Sequence, residues 1–239
     1  MRTGDVTLDT PDGPMRLYEA QPVESRNPTA AVIVIQEAFG VNDHIEDVTR
    51  RVADAGYHAV APALFHRAGG GTAPYDDFSK VLPFFENLTD DAILVDVDAA
   101  IAHLNAAGFS NDKIGIVGFC MGGRVTFLVA ARRRLGAAVG FYGGGIVTAR
   151  FPQFPPLIGE ASSLQTPWLG LFGDADGGIP IEDVEQLRAA LDAASPAEHE
   201  IVRYPGAEHG FHCDVRPSYD EASAKDAWSR TLGWFEHLL

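Results

Sequence analysis

From residue 31 to residue 204 the chain alternates short, mainly apolar runs with amphipathic helical stretches. The apolar runs are Ala31–Ile35, Tyr57–Ala61, Lys113–Phe119, Ala137–Tyr142, Trp168–Phe172 and the shorter Glu200–Tyr204. Helical patterns occupy Ile45–Ala55, Ala92–Ala107, Gly122–Arg134, Ile181–Ala194 and Tyr219–His237, with Gly56 and Gly108 as stops. Strands without polar alternation need cover on both faces, so the pattern predicts a mainly parallel sheet flanked by helices. A hairpin precedes it: Val6–Leu8 alternates with polar residues, Asp12-Gly13 turns the chain, and Met15–Tyr18 returns. No composition shift or repeat divides the sequence, so residues 1–239 are expected to form one domain. The stretches Pro62–Asp77 and Gly143–Thr166 follow strand ends, where sheets of this type bind substrates.

One strand runs straight into a helix through Gly118-Phe119-Cys120-Met121-Gly122-Gly123. This is a G-x-nucleophile-x-G elbow with cysteine in the nucleophile's place. Gly118 and Gly122 remove side chains that would clash in so sharp a turn, and Gly123 lets the helix pack closely on the sheet. The positive end of the helix favours thiolate, and the Met121 N–H would point at an oxyanion formed beside Cys120. The plainer reading is a buried structural cysteine in a glycine-rich crossover, which the strand-to-helix junction disfavours.

After such an elbow the acid and then the histidine follow in chain order. Gly173-Asp174-Ala175-Asp176 lies just past a strand, and Asp176, further beyond its end, is the better placed to turn toward an imidazole. His209, in the loop after the last strand, completes the order, with His212 as its rival. A solvated acidic loop and a surface histidine are the bland alternatives. The stretch His209–Asp214 resembles metal ligands only superficially, because zinc sites show a second ligand pair or histidines at i, i+4. No metal is expected.

Carrying these residues, the chain resembles the dienelactone hydrolases (carboxymethylenebutenolidases), an α/β-hydrolase family with a Cys-His-Asp triad. The resemblance spans nearly the whole sequence, through Gln36–Asn42, Ala61–Phe65, Ile114–Gly123, Ala138–Gly144, the Asp176 loop and His209–Phe211. It implies an α/β-hydrolase fold, with Cys120 as nucleophile, His209 as base and Asp176 as acid. It also implies that Glu37 contacts the resting thiol until a substrate displaces it, and that Ala38 supplies the second oxyanion N–H. Tyr142 matches an aromatic near the pocket, where packing is an equal role. Arg67 falls near a family arginine that binds a substrate carboxylate, while Arg216 is displaced from the place of a second one.

The activity so implied is hydrolysis of a lactone or small carboxylic ester through a thioester acyl-enzyme, with no cofactor. Alternatives are a broad carboxylesterase, a non-catalytic small-molecule binding protein on a hydrolase scaffold, and a redox-sensing thiol with Cys213 as resolving partner. Eighteen basic against thirty-three acidic residues give a net charge of −15, which would repel nucleic acid and anionic membranes. A small anionic substrate then needs a local cation, and Arg67 is the expected one. Two cysteines cannot form a disulfide framework. The longest candidate apolar run, Ala30–Ile35, is far short of the ~20 residues of a membrane span. With no targeting or lipidation signature visible, the expectation is a cytoplasmic monomer or small homo-oligomer.

Overall fold

The computed structural model describes residues 1–23 and 28–239. The expected hairpin forms from β1 (Arg2–Thr10) and β2 (Gly13–Gln21). Both strands outrun the predicted segments, because backbone pairing continues where the edge strand carries only polar side chains. Then follow β3 (Ala31–Ile35), β4 (His58–Pro62), β5 (Ile114–Phe119), β6 (Ala137–Phe141), β7 (Trp168–Gly173) and β8 (His199–Tyr204). The five strands from β3 to β7 are buried at every residue, as their continuous apolar sequences require.

The eight strands form one sheet in the order β1-β2-β4-β3-β5-β6-β7-β8. β2 runs antiparallel to β1 and β4, and the six strands from β4 to β8 in this order are parallel. This is the expected α/β-hydrolase arrangement. From β3 the chain passes to β4 on one side and returns to β5 on the other. The carboxyl ends of β3 and β5 therefore flank a crevice at a topological switch point, where open α/β sheets bind ligands. Glu37 and Ala38 leave β3 there, and Cys120 leaves β5.

The helices are α1 (Asp43–Asp54), α2 (Leu82–Phe85), α3 (Asp90–Ala106), α4 (Met121–Arg132), α5 (Ile181–Ala194) and α6 (Glu221–Leu238). Asn42, Thr89 and Asp220 cap α1, α3 and α6 by accepting from the N–H groups of Ile45, Ala92 and Ser223. The Asp220 cap starts α6 two residues later than the pattern suggests. α4 stops at Arg132 rather than Arg134, because Arg133 turns extended and grips Asp98 of α3 at 2.6 and 2.7 Å. α2, four residues long, is too short to show a period. None of the helices of the described residues is long and apolar enough to cross a membrane.

α4 is buried from Met121 to Ala131 and carries a buried ion pair. Arg124 makes two bonds to Asp90 at the start of α3, at 2.6 and 3.0 Å, and a third to the Pro155 carbonyl at 2.6 Å. These contacts fix the loop after β6 against the helix that follows the elbow.

Candidate active site

Cys120 adopts φ +55°, ψ −114° between β5 and α4, a left-handed conformation costing about 1–3 kcal/mol outside glycine. Its surroundings hold it there. Its N–H donates to the Phe141 carbonyl at 3.0 Å, and its own carbonyl accepts from Gly123 and Arg124. A Cβ on Gly118 would overlap the Gly122 carbonyl, and one on Gly123 the Phe141 carbonyl. A Cβ on Gly122 would sit 2.5 Å from the Ile35 carbonyl oxygen, so this glycine lets α4 approach the end of β3.

The structure brings Cys120, His209 and Asp176 together across 89 residues of sequence. His209 Nε2 lies 3.1 Å from Cys120 Sγ, and His209 Nδ1 lies 2.6 Å from Asp176 Oδ2. The buried Asp176 also accepts from the Gly178 N–H at 2.8 Å, which fixes its carboxylate plane. Burial works against a charged imidazole, but the Cys120 and Asp176 charges outweigh it and push His209 up to about 10. Asp174 points elsewhere, held by Arg203 at 2.7 Å.

Met121 and Ala38 both line the crevice. Among the described residues, no backbone carbonyl accepts from Met121 or Ala38. Gln36 orients the second of these. Its amide accepts from the Leu64 N–H and donates to the Glu37 carbonyl, which belongs to the same peptide unit as the Ala38 N–H.

Glu37 is fully buried but makes no hydrogen bond to the thiol. Tyr75 donates to its Oε2 at 2.8 Å, and Arg216 stands 3.6 Å from its Oε1. The thiol faces His209 instead, and the Arg216 guanidinium, lying over the Tyr75 and Phe39 rings, supplies the opposite charge that draws the carboxylate away.

Arg67, expected on the substrate, is committed elsewhere. Its guanidinium makes two bonds to the buried Asp96 at 2.6 and 2.9 Å, and others to Asp12 and the Ala92 carbonyl. Tyr142 takes the packing role. It is wholly buried with φ +38° and packs its ring edge-on to His209 at 5.2 Å, outside the lining of the cleft.

The cleft over Cys120 has a wall that single-residue motifs did not reveal. Phe39, Phe78, Phe85, Phe151 and Phe154 line it together with Arg124, Arg150 and Arg216. Four of these phenylalanines come from segments 78–85 and 151–154, after β4 and after β6. Their clustering in two short, strand-following stretches is the available signal. Among the described residues Arg150 forms no ion pair.

The remaining candidates fall into the packing. His212 is buried among Phe119, Phe141 and Trp228, and burial pushes it down to about 3, so it stays neutral. Cys213 is a free, buried thiol pushed up to about 11 by burial and the Glu37 charge, a poor resolving nucleophile.

Comparison with known proteins shows what the whole chain is similar to. A model of the dienelactone hydrolase family matches residues 15–239. A Yersinia pestis protein named "Putative carboxymethylenebutenolidase" is 41% identical, over 97% of this chain and 87% of its own. A Bradyrhizobium protein named "Probable 2-oxo-3-(5-oxofuran-2-ylidene)propanoate lactonase" is 32% identical, over 97% and 95%. A crystal structure titled as a "Putative Dienelactone Hydrolase" from Klebsiella pneumoniae superposes with a TM-score of 0.90 at 39% identity, covering 98% of both chains.

Proposed function

The chain belongs to the dienelactone hydrolase family and is a hydrolase of that kind; from this premise we propose that it opens a lactone or small carboxylic ester through a Cys120–His209–Asp176 triad and a thioester acyl-enzyme. The supporting observation is the continuous contact from Asp176 through His209 to the Cys120 sulfur, 2.6 and 3.1 Å long.

Cys120 Sγ attacks the substrate carbonyl carbon. The Met121 and Ala38 N–H groups hold the resulting oxyanion. Collapse breaks the acyl C–O bond, and the leaving alkoxide takes the proton from His209. In a lactone this alcohol remains attached to the acyl chain. The neutral His209, oriented by Asp176, then takes a proton from water, which attacks the thioester carbonyl and releases the carboxylic acid. Cys120 leaves as thiolate beside the reprotonated ring.

The favoured substrate carries a carboxylate. Arg216 and Arg150 reach the cleft, and an anion pairing with Arg216 would compete with Glu37 for the same guanidinium. The five-phenylalanine wall favours a second reading, a broader esterase that accepts neutral, apolar acyl groups. A hydrolysis panel of dienelactones, simple lactones and neutral alkyl esters, run with and without thiol alkylation, separates them. The proposal expects alkylation to abolish all turnover and carboxylate-bearing lactones to show the highest kcat/KM. Turnover that survives alkylation contradicts the thiol mechanism.

A further inference from the structure

Away from the cleft, three side chains from separate elements converge on one point. Glu19 comes from β2, His58 is the first residue of β4, and His103 lies in the last turn of α3. His58 Nε2 is 2.6 Å and His103 Nε2 3.2 Å from the same Glu19 oxygen, Oε1. The three potential ligand atoms lie within 4.8 Å of one another.

A carboxylate oxygen can only accept, so both imidazoles turn a ring nitrogen toward one negative centre. Phe109 meets the His58 ring edge-on at 5.4 Å and helps fix its plane. His58 is nearly covered, whereas the Glu19 and His103 side chains keep 19% and 23% of their exposure, which leaves a path from solvent.

We propose that Glu19, His58 and His103 form a zinc site that clamps the amino-terminal hairpin to β4 and α3. Two imidazoles and one carboxylate are a borderline donor set with a single negative charge, which suits Zn²⁺ better than the oxygen-seeking Mg²⁺ or Ca²⁺. Three protein ligands leave a fourth position for water, and the Gln21 amide lies at the rim, 3.4 Å from His58 Nε2. His58 begins β4, so the site sits at the opposite end of the parallel strands from Cys120. Its role is to fasten the hairpin, and turnover should not depend on it.

The test uses chelator-treated protein with Cys120 capped by iodoacetamide, so that the triad cannot compete for metal. Zinc titration by calorimetry should show one site per chain, and saturating zinc should raise Tm by about 5–10 °C. Glu19→Gln and His103→Gln should each lose the calorimetric site and the Tm rise, while the uncapped variants keep wild-type hydrolysis rates. No zinc-dependent rise in the wild type, or binding that persists unchanged in both variants, would overturn the proposal.

Discussion

Arg216 stands 3.6 Å from the fully buried carboxylate of Glu37, whose other oxygen accepts from Tyr75 at 2.8 Å. A cation at the cleft wall is thus shared between a buried acid and whatever anion enters. Replacing Arg216 with Ala should raise KM for carboxylate-bearing lactones about tenfold or more, the weight of one charged hydrogen bond. Neutral esters should change little. Equal effects on both classes would leave Arg216 with a packing role only.

Arg67→Ala should behave oppositely. It removes the two-bond partner of the buried Asp96, leaving that carboxylate, among the described residues, only the His66 side chain at 3.0 Å. Breaking a buried pair typically costs about 3–5 kcal/mol, so denaturant unfolding should shift strongly. KM should stay the same for charged and neutral substrates. A rise confined to charged substrates would return Arg67 to the site.

Asp176→Asn should reduce kcat by about ten-thousand-fold, because an amide favours the wrong imidazole tautomer toward Cys120. Asp174→Asn should weaken the bond to Arg203 and leave turnover nearly intact. Steady-state rates of the two variants decide the assignment, and a reversed order of severity would make Asp174 the acid.

His209 is raised from 6.5 to about 10, with burial opposing and the Cys120 charge the largest contribution in favour. The folded state therefore prefers the charged ring. That stabilisation is complete below pH 6.5 and is lost as pH rises through about 10. NMR titration should find His209 still protonated at about pH 8. In Cys120→Ala its midpoint should fall. An unchanged midpoint in that variant would mean that the thiolate is not what charges the ring.

Much of the fold and of the candidate site is legible in the sequence. Period and glycine placement point to the sheet, and the elbow with its ordered acid and histidine points to Cys120, Asp176 and His209, the proposed triad. What the sequence hid depends on side-chain reach. Arg67 is the sole Arg or Lys between Arg51 and Lys80, and a local view cannot see that Asp96, in the next long helix, claims it. Tyr142 lies one residue past a strand with a positive φ, and its ring packs edge-on to His209, outside the lining of the cleft. The family resemblance puts Glu37 on the thiol, but Arg216, 179 residues downstream, stands beside its carboxylate. Histidines 58 and 103 read singly as surface or packing residues, and only β2 and α3 packing beside β4 brings them to Glu19.

The central claim is that the acyl group passes through Cys120, and intact-mass spectrometry of the enzyme quenched in acid during turnover tests it most directly. With an activated phenyl ester, the chain should gain the mass of the acyl group alone. Digestion should place that mass on the peptide containing Cys120, hydroxylamine should remove it, and Cys120→Ala should show neither adduct nor turnover. An adduct on another residue, or a Cys120→Ala variant that keeps a substantial fraction of wild-type hydrolysis, would contradict the account.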